Sequence, residues 1–263
     1  MLTTATESAA THAAGFTEGY DAYRNGEYLR ALDDWLPLAQ NGDAKAQFNI
    51  GVLYSEGRGV DRNMAEAMAW WTKAAKQGHV RAAHNLGLAL ISGEPAINGR
   101  LREPSYTEAA KWLRMAAEAG YANSLYTLGK MFLDGLGVPD KDPQRAAQFF
   151  IQAAEQGFAR AQYNLAKLYR DGVGVDKNEE KSLYWFNEAA MRGYAKAQSR
   201  MSDRFAAGKG TPQDYVEALK WALLASSQGF SPAADQIQSL RGQMSADQIS
   251  EAEKRAKEFA PKI

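Results

Sequence analysis

Six glycines, Gly42, Gly78, Gly120, Gly157, Gly193 and Gly229, recur at intervals of 36, 42, 37, 36 and 36 residues. Two other residue classes keep the same step. The apolar series Ile50, Leu86, Leu128, Leu165 and Met201 and the aromatic series Trp70, Trp112, Phe149, Trp185 and Trp221 both advance by 36, 42, 37 and 36. Small pairs, Ala74-Ala75 through Ala225-Ser226, follow each aromatic by four residues. Three classes in one phase define a repeat array in which each unit stacks on its neighbours.

Each unit reads as two antiparallel helices. In the stretch AKAQFNIGVLYS from Ala44, residues Ala46, Ile50 and Leu53 share one face at 100° per residue. Gly57 and Gly59 then break the helix. The second helix opens after Asn63, Ser105, Asp142, Asn178 or Asp214, side chains able to accept from free backbone N–H groups. Glu66, Glu108 and Glu217 lie three residues further on, so a reciprocal capping box is expected in those units. Pro143 takes the first helical position, where its missing N–H costs nothing. The marker glycine ends the second helix, in the left-handed conformation. The aromatic series from Trp70 is expected to fill the core between units.

The ends differ from the middle, as capping units should. Residues 15–45 form a shortened N-terminal cap in which Pro37 should kink the second helix. Repeats follow at 46–81, 82–123, 124–160, 161–196 and 197–232, and a C-terminal helical cap at 233–263 carries the capping-box sequence SADQ from Ser245. Residues 1–14 read as a tail outside the fold. Among the repeats the second departs most: Gly93 to Ser105 spans 12 positions where Gly57 to Asn63 spans 6. Surface loops tolerate such insertions at little cost, so residues 93–104 read as a neutral insertion or a contact loop.

These signatures resemble the Sel-1-like repeat family, a branch of the tetratricopeptide-like helical solenoids. The likeness is strongest in AQFNIGVLYSEGRGVDRNMAEAMAWWTKAAKQG from Ala46 and AQYNLAKLYRDGVGVDKNEEKSLYWFNEAAMRG from Ala161. It implies an all-α, right-handed α/α superhelical solenoid of antiparallel helix pairs, with five repeats between two capping units. It also implies an adaptor or scaffold for protein assemblies, and many bacterial members are exported. Ser124, Ala166 and Ser202 are mild departures from the family pattern.

Composition narrows the function. Charges balance at 31 basic and 31 acidic residues, against the basic surplus of a nucleic-acid binder. With no cysteine there is no disulfide, thiol nucleophile or thiolate metal site. The three histidines, His12, His79 and His84, lack ligand spacing. The Gly-x-Gly pairs recur with the repeat as turns and lack the Gly-Lys-Ser/Thr ending of a phosphate loop. No cofactor, metal or catalytic residue is expected. No stretch is long and apolar enough to span a membrane. The start lacks a signal-peptide pattern, so the compartment is periplasmic or secreted if a leader has been removed, and otherwise cytoplasmic.

A partner is expected on the face opposite the buried stripe of the first helices, which lines the concave groove in related solenoids. Two ladders run there: Phe48, His84, Tyr126, Tyr163 and then Ser199, and Lys45, Arg81, Asn123, Arg160 and Lys196. Lys130, Lys167 and Arg170 add charge, and Leu88, Ile91 and Leu133 add apolar surface. The basic ladder sits in the first helical turn, where a cation opposes the helix dipole by about 0.3–1 kcal/mol. Helix stability therefore does not account for it. The expected function is a non-catalytic scaffold that holds a protein or peptide segment, acidic in character. Alternatives are an envelope glycan-binding protein and an enzyme of unknown class. Polar caps point to a monomer.

Overall fold

A computed structural model describes residues 15–93 and 103–262. The tail 1–14 and most of the 93–104 insertion therefore lie outside the described residues. All the regular structure among those described is helical. Two compact units divide the chain. The first takes in residues up to Ser124 with Gly135–Pro139; the second holds Leu125–Asp134 and everything from Asp140.

In the first unit, α1 (15–24) and α2 (Tyr28–Gln40) form the cap. Helices α3 (Ala44–Glu56), α4 (Met64–Lys76), α5 (Val80–Ser92) and α6 (Tyr106–Glu118) follow, and from α2 onward each packs on the next. Helix α2 runs on through Pro37 to Gln40. Helix α7 (Ala122–Asp134) belongs to the second unit from Leu125. Helices α8 (Pro143–Glu155), α9 (Ala159–Asp171), α10 (Glu179–Met191), α11 (Ala195–Ala207) and α12 (Tyr215–Ser227) continue the alternation. The last pair, α13 (Pro232–Arg241) and α14 (Ala246–Lys257), closes on α12.

The marker glycines turn the chain back. All six have φ between +77° and +96°, a region that Cβ penalises. In the first unit Gly78 donates to Ala75 O and His79 to Ala74 O, at 2.9 and 3.1 Å. Gly193 and Tyr194 do the same to Ala190 and Ala189 in the second unit. This pattern satisfies the last carbonyls of each second helix and fixes the direction of the next first helix. Buried Gln47, Gln162 and Gln198 reinforce the joint by donating to Ala39 O, Ala154 O and Ala190 O.

Two expectations need correction. Asn63, Asp142, Asn178 and Asp214 cap their helices as expected, but the reciprocal capping box forms at Ser245–Gln248 and not at Asn63 or Asp214. At Ser105 not even the side-chain cap forms. The backbone N–H that a returning Glu would need is already spent. Asn63, Ser105, Asp142, Asn178 and Asp214 each donate it to a carbonyl of the preceding first helix, Tyr54, Leu90, Phe132, Tyr169 and Phe205.

The second correction concerns the core. Trp70, Trp112, Phe149 and Trp185 are only half-buried, and of that series Trp221 alone is buried. The buried series lies one residue on: Trp35, Trp71, Leu113, Phe150 and Phe186. Opposite them stand Gly19, Gly51, Gly87, Gly129 and Ala166. A Cβ at Gly129 would approach Phe150 to 2.6 Å, and one at Gly51 would overlap the Trp71 indole. That indole N–H donates to Phe48 O at 3.2 Å, as Trp35 does to Phe16 O. The first helix thus accepts a large ring only where its own side chain is absent. Gly51→Ala should lower unfolding free energy by about 1–3 kcal/mol, and Trp71→Phe in that background should recover part of it, as read by urea titration.

Candidate functional site

The expected ladders can be followed within each unit. In the first, Lys45 and Arg81 are exposed on the first turns of α3 and α5. Beside them lies a cavity of about 310 Å³ lined by Phe16, Tyr20, Lys45, Phe48, Asn49, His79, Val80 and Arg81. Phe48 is half-buried and stacks on His79, with ring centroids 4.6 Å apart and planes 24° from parallel. The His79 Nδ1 accepts from Ala82 N–H at 3.2 Å and caps α5, so its proton sits on Nε2. Burial, then the neighbouring Arg81 cation, lowers the His79 pKa.

His84 does not join this surface. It is 7% exposed, its Nδ1 lies 2.8 Å from Ser124 Oγ, and its ring meets the Tyr121 edge at 5.1 Å. Burial brings its pKa down to about 4. Asn123 is half-buried, and its Nδ2 donates to Tyr121 Oη at 3.1 Å. Leu88 remains 42% exposed on α5.

In the second unit Tyr126 and Tyr163 are half-buried. Tyr126 packs on Phe150 and Phe158 at 5.8 and 5.4 Å, and Tyr163 on Phe186 and Tyr194 at 5.5 and 5.3 Å. Asn164 Nδ2 donates to Tyr126 Oη at 3.4 Å and to Arg160 O at 3.0 Å. Burial, with Tyr126 and Tyr163 close by, raises the Tyr194 pKa. Ser199 is buried against Gln236. Arg160, Lys196 and Lys130 stay exposed, and Lys167 is half-buried. Arg170 donates from Nε and Nη2 to the two carboxylate oxygens of its neighbour Asp171, at 2.7 and 2.8 Å, and these bonds hold the Asp171 carboxyl below its usual range.

The flat ladder is therefore largely a zipper between successive first helices. Its second half, His79, Tyr121, Phe158 and Tyr194, consists of the residues that follow four of the six marker glycines. Sequence reasoning passed over them, although they repeat at the same 42, 37 and 36 intervals.

A family model, the Sel1 repeat, matches residues 44–79, 80–121, 122–158, 159–194 and 195–230. The chain belongs to the Sel1 repeat family. Each family repeat begins two residues before the boundary expected above, at the start of a first helix. A Sel1 repeat protein from Oxalobacter formigenes has a similar structure, with a TM-score of 0.77 and 28% identity, covering 94% of this chain and 97% of that one. A protective antigen of uropathogenic Escherichia coli strains shares the fold at a TM-score of 0.51 and 21% identity, over 94% of this chain and 68% of its own. The chain is therefore an all-α Sel1 solenoid. Among curated proteins, DAP3-binding cell death enhancer 1 of Rattus norvegicus is 40% identical over 52 residues, 20% of this chain and 10% of the relative. Chitin synthase regulator SKT5 of Saccharomyces cerevisiae is 44% identical over 61 residues, 21% and 9% respectively. The chain thus spans about a tenth of the length of these relatives. Sel1 repeats are typically modules of protein–protein interaction. No helix among the described residues is long and apolar enough to cross a membrane.

The buried imidazole has a pH signature. His84 is neutral when folded, whereas the unfolded chain takes up a proton as pH falls below its ordinary value near 6.5. Its contribution is present above pH 6.5 and is lost as pH falls toward 4, by on the order of 3 kcal/mol. Melting temperatures at pH 7.5 and 4.5 should therefore diverge less in His84→Gln than in the wild type.

Proposed function

We propose that this Sel1 protein is a non-catalytic scaffold in which the first helices of each unit hold an acidic segment of a protein partner. One observation carries the reading. The ladder aromatics of those helices are spent on packing, while the cations beside them, Lys45 and Arg81 in one unit and Arg160 and Lys196 in the other, remain exposed. Such charges oppose their own helix dipoles. A bound carboxylate would relieve that cost and add charge-assisted hydrogen bonds.

The cavity by α3 and α5 supports the same reading. It sets an aromatic wall, Phe16, Tyr20 and Phe48, beside Lys45 and Arg81, and the neutral His79 supplies a further N–H. An apolar residue followed by a carboxylate fits that combination of flat apolar surface and cationic rim. Rim charges act mainly on association rate and specificity, so the interaction should weaken as salt rises. His84 and Arg170 drop out of the binding set, the first by burial and the second by its pairing with Asp171. Tyr126, Tyr163, Lys130 and Lys167 stay in it as edges and flanking charge.

Peptide display against the immobilised full chain should enrich Asp or Glu next to an apolar residue. The double variant Lys45→Glu/Arg81→Glu should lose that enrichment and gain Lys and Arg, with thermal stability equal to the wild type or slightly higher. Selection of peptides without acidic bias by the wild type would refute the reading.

A further inference from the structure

One site breaks the repeat. The turn after the first helix carries a left-handed glycine at Gly59, Gly137, Gly174 and Gly210. The first three press against the start of a second helix. A Cβ at Gly59 would stand 2.8 Å from Tyr28 Cβ, and at Gly137 and Gly174 it would overlap the carbonyls of Tyr106 and Pro143. A Cβ at Gly210 would instead find only ordinary contacts, Arg204 Nη1 at 3.4 Å and, from α10, Leu183 Cδ2 at 3.7 Å. The fifth turn stands off from its helix.

Three polar residues accompany the gap. Arg204, 6% exposed, takes the core position held by Leu53, Ala89, Met131 and Leu168 in the other repeats. Ser182 replaces the buried alanine found at Ala67, Ala109, Ala146 and Ala218. Thr211 stands where Val60, Val138 and Val175 close the turn. The guanidinium bonds Glu179 Oε1 at 2.6 Å, Ser182 Oγ at 3.3 Å and Lys209 O at 3.4 Å, and lies over the Phe186 ring. With the Glu179 side chain 37% exposed, this pair adds little to stability. A break in local pattern of this kind more often marks function.

Between α10 and the turn the gap leaves a cleft of about 390 Å³. Its apolar surface comes from Leu183, Met201 and Phe205, with the Tyr184 ring, 56% exposed, on one side. The charges lining it are Glu179 and Glu180, and no lining residue is cationic. Glu179 already faces Arg204, whereas Glu180 is exposed at the rim.

We propose that this cleft receives an arginine side chain of a protein partner. The alkyl stem covers the apolar surface, the planar guanidinium stacks on Tyr184, and Glu180 takes its donors. The charge preference is opposite to that of the first-helix face, and the two sites share no residue, so each can fail alone.

Fluorescence polarisation of labelled Gly-Leu-Arg-Leu-Gly titrated into the full chain tests this, with Gly-Leu-Glu-Leu-Gly as control. The arginine peptide should saturate and the glutamate peptide should not. Glu180→Gln, an exposed isosteric change, should weaken binding about two- to fivefold. Tyr184→Ala should weaken it as well. Equal binding of the two peptides, an unchanged affinity in Glu180→Gln, or no saturation at millimolar peptide would each overturn the proposal.

Discussion

Everything in this chain depends on how each second helix ends. Its last carbonyls need donors, and the chain supplies them from the marker glycine and the residue after it. The bond pattern at Gly78–His79 and at Gly193–Tyr194 requires φ near +80°, which costs little only without a Cβ. Once that turn is set, the next first helix can run only one way. The alanine pair sits beneath it because a larger side chain would push the two helices apart. Glycine, alanine pair and the following aromatic are therefore one device, repeated.

The same device explains why the flat ladder is half-buried. The residue after the glycine lands beside the ladder position of the preceding first helix: His79 on Phe48, Tyr121 on His84, Phe158 on Tyr126 and Tyr194 on Tyr163. Stacked and edge-to-face contacts of this kind contribute about 0.5–1.5 kcal/mol each beyond the area they bury. The aromatics of the proposed binding face thus stabilise the repeat joints first, which leaves only their edges for a ligand. Cations next to them have no such structural duty, and this separates the two ladders physically.

Repetition also gives the protein an internal standard. Where four repeats place an apolar residue and the fifth places Arg204, the environment is known from the other copies, so the departure can be read against them. Arg204, Ser182 and Glu179 satisfy one another, and the space beside them is not filled. Polar substitutions that complete a hydrogen-bonded set while opening a cleft alter surface chemistry more than they alter fold.

How much was legible in advance follows from which interactions are local. Helix pairs, caps at Asn63, Asp142, Asn178 and Asp214, left-handed glycines and the SADQ box depend on residues within one turn of each other, and spacing alone revealed them. The exposed positions of Lys45, Arg81, Arg160 and Lys196 followed from helical periodicity. Other features needed partners distant in sequence. The Asn63 N–H was claimed by Tyr54 O, so its box stayed open; Trp71 rather than Trp70 found the space left by Gly51; and Ser124 and Tyr121 buried His84. A linear pattern states which residues share a face. Only packing decides which of them another helix covers, because that depends on the shape and donors of a surface folded from elsewhere in the chain.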